Sequence, residues 1–381
     1  MRVELSEEQE MIRAMARDFA DKEIRPIAAQ IDREARFPHE TVRRLGALGL
    51  LGMTIPPAWG GSGADVVSYA VAIEEIAKAC ASHAVVMSVN NSLFCEPVYK
   101  YGSEEQKKRF LTPFTGGERI GCFALTEPQA GSDATNQTTL AVRDGAHYLV
   151  NGRKLFVTNG REAAAALIFC QTDRAQGHHG ISALLIEMGT PGFLVPRVEE
   201  KLGLRASDTA EFVFEDCRVP VANRLAEEGM GFKIAMSALD SGRIGIAAQA
   251  VGIAAGACEM ALAYARERRS FGVPIGHHQM VQWMLADMAT AIDAARLLTL
   301  RAAWLKDTGK PFGAASAMAK LFAAETAMKV TTDAIQVHGG YGYIKDYQVE
   351  RYFRDAKITQ IYEGTSQIQK LVIARSVLGG G

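Results

Sequence analysis

The chain has 381 residues, of which 48% are hydrophobic and 22% are charged. This is the composition of an ordinary globular protein, long enough to bury large cores in two or three domains. The 42 Lys and Arg residues balance the 43 Asp and Glu residues, so the net charge gives no reason to expect nucleic acid or an anionic membrane as the main partner.

The first segment, residues 1–118, is predicted to be an α-helical domain. Residues 1–8 contain no apolar signal core, and no apolar run in the chain is long enough to span a bilayer, which predicts a soluble, cytoplasmic protein without membrane insertion. Ser6 and Gln9 are spaced as a capping box ahead of a helix. Further helices are predicted from the spacing of apolar residues at 41–51, 67–81 and 104–114.

The second segment, residues 119–228, is predicted to be a β domain. Asp144-Gly145, Asn151-Gly152 and Asn159-Gly160 fall at short intervals between apolar runs, which predicts consecutive β-hairpins with strands at 147–150 and 154–158. The segment has no room for crossover helices, so its sheet is expected to be antiparallel, as a small barrel or sandwich. Further strands are predicted at 167–171, 181–187, 192–197 and 211–215.

The third segment, residues 229–381, returns to helical spacing and is predicted to be a four-helix bundle. Gly339-Gly340 follows one of these helices as a suitable C-cap, and Gly272 and Pro274 interrupt the chain between two others. The whole chain is thus expected to have a mainly helical α+β multidomain fold. The predicted helices of this segment cover 231–268, 279–307, 313–338 and 368–378.

The six cysteines are scattered, without a C-x-x-C pair and without a His at metal-ligand spacing. They are predicted to be reduced and mostly buried thiols, and no metal site is expected. These residues are Cys80, Cys95, Cys122, Cys170, Cys217 and Cys258.

Two glycine-containing segments are candidate cofactor sites, each with a plain structural explanation beside the functional one. No G-x-G-x-x-G lies between a predicted strand and helix, and the glycines at 339–342 follow a helix, where a C-cap and tight turn explain them. Residues 122–133 begin as a strand and continue as a loop of small polar residues. Their N–H groups and hydroxyls could contact a polar ring or a phosphate, or the segment could be a simple strand and turn.

Glu363 is the candidate general base. It lies between Tyr362 and Gly364, ahead of a predicted helix, where a carboxylate could be desolvated and basic. The same position suits a helix-end carboxylate that faces the helix dipole, so the residue alone leaves both roles open. Several arginines could likewise bind phosphate or form solvated ion pairs; they are Arg268, Arg269, Arg351, Arg354 and Arg375.

Taken together, these segments resemble the acyl-CoA dehydrogenase family over essentially the whole chain. The resemblance rests on the order and spacing of motifs rather than on any single residue. The matching motifs lie at 122–133, 156–159, 201–207, 240–243, 268–272, 336–340 and 362–367.

The resemblance implies a bound FAD that lies across a subunit interface, in a homo-oligomer whose usual form is a tetramer. It implies contacts to the isoalloxazine and ribityl part of FAD from Phe123, Leu125, Thr126, Phe156 and Thr158, with Thr365 and Gln367 nearby. The implied contacts to the adenine and pyrophosphate of a neighbouring chain's cofactor are Arg268, Phe271, Gln279, Gln336, Gly339 and Gly340. The implied acyl-CoA contacts are Ser132, Ser182, Asp240, Arg243 and Gly364.

The implied reaction is the α,β-dehydrogenation of an acyl-CoA thioester to a trans-2-enoyl-CoA. Glu363 takes the α-proton while the β-hydrogen leaves as hydride to flavin N5, and the Glu363 N–H and a ribityl hydroxyl stabilise the enolate oxygen. Electrons then pass to electron-transferring flavoprotein. Phe156 stands where the family commonly has Trp, which keeps the stacking area and loses the indole N–H.

Segments 90–93, 101–107 and 216–220 look most like the short-chain, butyryl-type members of the family. This likeness implies a short linear, branched or cyclic acyl group and a role in fatty, amino or organic acid degradation. A dicarboxylic substrate such as glutaryl-CoA would need a cation at the far end of the pocket. Two further alternatives are an acyl-CoA oxidase, although oxidases of this type are generally longer, and a catalytically silent flavin-binding assembly subunit, against which an intact Glu363 argues.

Overall fold

The computed structural model describes residues 4–379 and places helices before and after a central sheet. The first helix begins after Ser6, whose hydroxyl accepts from the Gln9 N–H while the Gln9 side chain accepts from the Ser6 N–H. The predicted capping box is therefore confirmed. The N-terminal helices are α1 (Glu7–Phe19), α2 (Arg25–Glu34), α3 (His39–Ala47), α4 (Val66–Ala79), α5 (Ala81–Ser88), α6 (Glu96–Tyr101), α7 (Glu104–Phe110) and α8 (Thr112–Thr115).

Two predicted helices of this segment end earlier than expected. The helix predicted at 41–51 stops at Ala47, because Gly49 adopts a left-handed conformation with φ 74°. The helix predicted at 104–114 divides into α7 and α8, because Pro113 has no N–H to continue the helical hydrogen bonding. π-helical turns, Ala20–Ile24 and Val89–Cys95, continue α1 and α5.

The middle segment forms an eight-stranded sheet with the order β6-β7-β3-β2-β4-β5-β8, in which β1 pairs beside β4. Two short strands, β9 and β10, pair separately between the later helices. The strands are β1 (Gly121–Ala124), β2 (Leu140–Asp144), β3 (His147–Thr158), β4 (Ala165–Gln171), β5 (Ile181–Glu187), β6 (Phe193–Val198), β7 (Thr209–Pro220), β8 (Arg224–Leu225), β9 (Arg269–Ser270) and β10 (Val273–Pro274).

This sheet corrects the predicted antiparallel barrel. Its strand order runs from β6 to β8 without closing, so the barrel is not confirmed. The pairs β1/β4 and β2/β4 are parallel, so the purely antiparallel prediction was wrong. The chain reverses once at the β2–β3 hairpin and again between β3 and β4, which brings β4 parallel to β1 and β2 without any crossover helix.

The predicted hairpin at Asp144-Gly145 is confirmed as the turn between β2 and β3. The one at Asn151-Gly152 was wrong, because β3 runs through it as one twelve-residue strand. The pairing of β3 with β7 shifts register at this point, and Asn151 and Asp216 bond to each other across the irregularity. A bulge therefore accommodates the glycine that a turn was expected to use.

The C-terminal segment contains five helices among the described residues, one more than predicted. The additional helix, α12, carries many charged residues, yet its buried face contains Val349, Tyr352 and Ala356. The predicted C-cap at Gly339 is confirmed, with φ 59° after the helix that ends at His338. The helices are α9 (Gly231–Glu267), α10 (Gln279–Asp307), α11 (Gly313–His338), α12 (Val349–Thr359) and α13 (Ser366–Val377).

Helix α9 corrects the expectation that no segment could span a membrane. It contains an 18-residue window with mean hydropathy 1.6, but 78% of that window is buried inside the protein. The N-terminal and C-terminal helices bury it in a shared apolar core, so its composition is that of a central core helix. The six cysteines are free and buried, as predicted.

Candidate active site

A left-handed turn of two residues presents Glu363 between α12 and α13. Glu363 has φ 51° and Gly364 has φ 91°, and a non-glycine residue adopts positive φ only when its surroundings enforce it. Gln369 Nε2 donates to both carbonyls, at 3.1 Å for Glu363 O and 2.9 Å for Gly364 O. Lys320 Nζ donates to the Gly364 carbonyl at 2.6 Å. Side chains from α11 and α13 therefore hold the turn in place.

The neighbouring helix cap places Glu363 outside the position of a carboxylate that faces the helix dipole. Thr365 is the N-cap of α13, and its hydroxyl accepts from the Ile368 N–H at 3.3 Å. Glu363 lies two residues before this cap and outside the first helical turn, where a carboxylate would face the dipole. Its own N–H donates no hydrogen bond within residues 4–379, so this donor is available to a ligand.

The carboxylate of Glu363 is buried without a hydrogen-bond partner at Oε2, within the part of the chain that the structure describes. Burial raises the pKa of Glu363 to about 7, against the opposing effect of the nearby Lys320 and Arg243 charges. Burial of a carboxylate oxygen without a partner costs free energy, so its presence here points to a function. Its pKa is suited to a general base that works near neutral pH.

Three predicted site residues lie at the Glu363 turn, namely Asp240, Arg243 and Gly364. Arg243 pairs with Asp240 at 2.6 Å and directs its Nε toward the Glu363 carbonyl at 3.5 Å. Gly364 forms the second half of the left-handed turn. Gly242, which precedes Arg243 on α9, leaves space for the carboxylate, since a side-chain carbon there would overlap Glu363 Oε2 and crowd Leu93.

Replacing Gly242 with Ala is expected to lower the rate of the reaction by about 10- to 100-fold, because the methyl group displaces the carboxylate from its position. The measurement is kcat/KM per folded subunit. Gly252→Ala, on the same helix as Gly242, is the matched control, since its methyl would overlap the Glu74 carbonyl of α4. Equal rate losses per folded subunit in the two variants would show that packing, and not the carboxylate, explains the effect.

A second group of predicted residues gathers where β1 continues into the loop beside β3. The Leu155 N–H donates to the Thr126 carbonyl at 2.8 Å, and Lys154 Nζ donates to the Leu125 carbonyl at 3.1 Å. Phe123, Leu125, Thr126, Phe156 and Thr158 are thereby brought together. The Phe156 side chain is 63% exposed at a position with φ 57°, which leaves an aromatic face free for a stacked ring.

A buried ion pair holds this loop. Lys154 Nζ lies 2.8 Å from Glu127 Oε1, and both side chains are essentially inaccessible to solvent. Glu127 also accepts from the backbone N–H groups of Thr138 and Thr139. Although burial opposes it, the Lys154 charge lowers the pKa of Glu127 to about 2. The carboxylate therefore ties the two ends of the loop to β3.

A third group lines a cleft of about 480 Å³ on the C-terminal helices. Arg268, Gly339 and Gly340 contribute to this cleft, and a side-chain carbon at either glycine would meet no neighbouring atom. Phe271 is 96% exposed, and the side chains of Gln279 and Gln336 are also exposed. No hydrogen bond within residues 4–379 joins this group to the residues around Phe156.

The structure does not bring every predicted residue to these groups. Ser182 is fully buried at the start of β5, with its hydroxyl bonded to Thr172 and to the Gly229 N–H. Ser132 is exposed on the loop after β1, and Gln367 is exposed on α13. Thr365 uses its hydroxyl as a helix cap. The ligand contacts predicted for these residues therefore stay predictions.

Sequence reasoning missed Lys320, Gln369, Gly242 and Lys154. Lys320 carries a weak signal, since it is a lone cation on the alanine-rich face of α11. Gly242 carries another, since glycines three residues apart at 242 and 245 indicate close approach to a helix. Neither signal identifies the residue that is contacted. Lys320, for example, bonds to Gly364, more than forty residues away in the chain.

Comparison with known proteins identifies related chains over the full length. Three family models match: the acyl-CoA dehydrogenase N-terminal domain at residues 6–118, the middle domain at 122–217 and the C-terminal domain at 229–378. The mitochondrial short-chain specific acyl-CoA dehydrogenase of Mus musculus is 54% identical over 376 residues, which cover 99% of this chain and 91% of that protein.

Two solved structures share the architecture. Butyryl-CoA dehydrogenase from Megasphaera elsdenii has a TM-score of 0.97 at 44% identity, covering 99% of this chain and 100% of that one. A chain in a structure of the electron transferring flavoprotein of Acidaminococcus fermentans has a TM-score of 0.98 at 49% identity, with the same coverage.

Proposed function

The chain belongs to the acyl-CoA dehydrogenase family, and on this basis we propose that it binds FAD and oxidises a short-chain acyl-CoA to the trans-2-enoyl-CoA. The observation that carries the proposal is the buried Glu363 carboxylate, which has no partner at Oε2 and lies beside a free backbone N–H. A base and a hydrogen-bond donor on one residue suit the removal of a proton next to a thioester carbonyl.

The residues around Phe156 and around the Arg268 cleft fit FAD. An exposed aromatic ring beside a loop with polar groups suits a flavin ring, and an arginine beside unobstructed glycines suits a pyrophosphate. Bound FAD supplies the hydride acceptor that no side chain can provide. Following the family resemblance, we propose that each cofactor is held by two subunits of a homotetramer.

Each residue at the turn has a separate task in the proposed reaction. The Glu363 N–H donates to the thioester carbonyl oxygen, which makes the α-hydrogen more acidic. The Glu363 carboxylate, aligned over Gly242, accepts the α-proton. Arg243, paired with Asp240, holds the carbonyl side of the turn toward α9. Burial of Oε2 limits the access of water to the carboxylate, which preserves its basicity.

The space beyond Gly242 supports a short acyl chain. A space of about 10 Å³ is lined by residues that include Tyr69, Ser92 and Ser241, the neighbour of Gly242, and a volume of this size holds at most about one water molecule. The Tyr69 hydroxyl donates to Ser88 at 3.0 Å, and a side-chain carbon on Gly245 would overlap both of these side chains. Little room is therefore left for an extended chain.

The same region argues against a dicarboxylic substrate. Lys306 contributes the cation that a terminal carboxylate would need, but its Nζ already pairs with Glu96 at 2.7 Å and bonds to Ser241 at 2.8 Å. A second carboxylate would face the Glu96 charge as well as the Lys306 charge. We therefore prefer a butyryl-type substrate over a glutaryl-type one.

The test is anaerobic bleaching of the purified yellow protein with butyryl-, isobutyryl-, octanoyl- and glutaryl-CoA. Butyryl-CoA is expected to bleach the flavin fastest. If no thioester bleaches it, the catalytically silent assembly subunit becomes the better reading, and fastest bleaching by glutaryl-CoA would identify a dicarboxylic enzyme. We propose electron-transferring flavoprotein as the electron acceptor, and the cytoplasm as the compartment. Faster turnover with oxygen than with electron-transferring flavoprotein would instead indicate an oxidase.

The rate of the reaction is expected to rise through pH 7. Because burial raises the pKa of Glu363 to about 7, the carboxyl is largely protonated below that pH and cannot accept the α-proton. The pH dependence of kcat/KM for butyryl-CoA reports this ionisation in the free enzyme. An ascending limb centred near the ordinary glutamate value of 4.5 would contradict a buried base.

A further inference from the structure

Lys320 is a buried cation that the reaction described above does not use. Its side chain is fully inaccessible to solvent on α11, in an alanine-rich stretch of that helix. Burying an ammonium group is costly unless it is compensated. Within residues 4–379, its one hydrogen bond goes to the Gly364 carbonyl at 2.6 Å, and it forms no ion pair at bonding distance.

A single backbone carbonyl does not require a charged partner, since a neutral amide would serve it as well. The nearby carboxylate of Glu363 raises the pKa of Lys320, while burial lowers it more strongly, to about 8. In return, the Lys320 charge lowers the pKa of Glu363 against the effect of burial. The two groups are therefore electrostatic partners. They lie close together because Lys320 bonds to the carbonyl of Gly364, the residue that follows Glu363.

The held carbonyl also controls geometry. Glu363 and Gly364 both have positive φ, a conformation that an unrestrained glutamate rarely adopts. Lys320 from α11 and Gln369 from α13 both donate hydrogen bonds to the Gly364 carbonyl oxygen. The direction of the Glu363 carboxylate and of its N–H both depend on this turn.

We propose that Lys320 is a positioning residue for the Glu363 base, which fixes the left-handed turn through the Gly364 carbonyl and favours the ionised carboxylate through its charge. The inference rests on the proposed function, because it assigns Lys320 a role in the same proton transfer. It goes beyond that function in naming a residue that touches neither substrate nor flavin.

Other charged and titratable groups also face Glu363, and their effects are separable. Arg243 is the second cation on Glu363, but its charge is shared with Asp240 through their ion pair. Lys320 is thus the cation without a competing ion pair among the described residues. The groups that act on this pair from the packed elements are Arg243 and Asp240 of α9, Tyr69 of α4, Glu325 of α11 and Tyr362 beside the turn.

The test compares Lys320→Met, Lys320→Gln and Lys320→Arg by the pH dependence of anaerobic flavin bleaching with butyryl-CoA. Without the cation the pKa of Glu363 rises, so in Lys320→Met and Lys320→Gln the ascending limb is expected to move alkaline by about one pH unit, with about a fivefold lower rate at pH 7. Lys320→Arg keeps the charge and is expected to keep the limb in place. Thr331→Ala, buried on the same helix with its hydroxyl bonded to its own helix, is the control and should not move it.

A second readout does not depend on turnover. In a double-mutant cycle of thermal unfolding at pH 7.5, between the pKa values of about 7 for Glu363 and about 8 for Lys320, Glu363→Gln is expected to reduce the cost of Lys320→Met, because neither charge then lacks its partner. The proposal would be overturned if the ascending limb stays in place in Lys320→Met and Lys320→Gln and the stability effects of Lys320→Met and Glu363→Gln are additive. Failure of both uncharged single variants and of the double variant to fold would also overturn it, since Lys320 would then be a core residue. If the wild type itself is not bleached by any thioester, the proposed function fails, whereas the stability cycle still tests the pairing.

Discussion

Glu363→Gln is expected to lower the rate of flavin reduction by butyryl-CoA by about 10²- to 10⁴-fold, the contribution of a positioned general base. The amide has the size of the carboxylate and cannot accept the α-proton. Because Oε2 has no hydrogen-bond partner to lose, the folded protein should keep its flavin, and its thermal stability should change only through the lost interaction with the Lys320 charge. The measurement is stopped-flow bleaching at pH 8, with flavin content and melting temperature recorded for the same preparation.

The matched control for this variant is Glu325→Gln. Glu325 is a carboxylate close to the same turn, where it accepts from Ser366 at 2.8 Å and from Gln360 at 2.8 Å, but it does not face Gly242. Its replacement should leave the rate within a small factor of the wild type. Bleaching of Glu363→Gln at the wild-type rate would remove Glu363 as the base, and loss of flavin from that variant would assign it to cofactor binding instead.

Lys154→Met is expected to lower the free energy of unfolding by about 3–5 kcal/mol, because it leaves the Glu127 carboxylate buried and unpaired. The loop that carries Leu125 and Thr126 should loosen with it, since Lys154 also holds the Leu125 carbonyl. Flavin content should therefore fall together with stability. Denaturant unfolding and the flavin-to-protein absorbance ratio measure the two effects.

Arg153→Met is the control on the same strand, because the largely exposed Arg153 pairs with Glu211 at 3.3 Å, and pairs with an exposed member contribute about 1 kcal/mol or less. The pH profile gives a further check. The pKa of Glu127 is lowered from 4.5 to about 2, so its stabilising contribution is present above pH 4.5 and is lost as the pH falls toward 2. If Lys154→Met and Arg153→Met lower the free energy of unfolding equally, the stabilising role of the buried pair is contradicted.

Local features of this chain were readable where neighbouring residues decide them. The capping box of Ser6 and Gln9, the Gly339 cap and the Asp144-Gly145 hairpin depend on a few adjacent residues, and all three are confirmed. The Asn151-Gly152 prediction failed because Asn151 bonds to Asp216 across β3 and β7, a partner that lies 65 residues away. A bulge and a turn use the same two residues, and cross-strand pairing chooses between them.

The site shows the same division. The order of the motifs identified the family and Glu363 without coordinates, because motif order is a property of the chain itself. The pKa of about 7 that suits Glu363 to the proposed role of base comes from its burial against α9 and α11. Desolvation, the Lys320 charge and the space above Gly242 come from residues distant in the chain, and only tertiary packing sets the distances on which these energies depend.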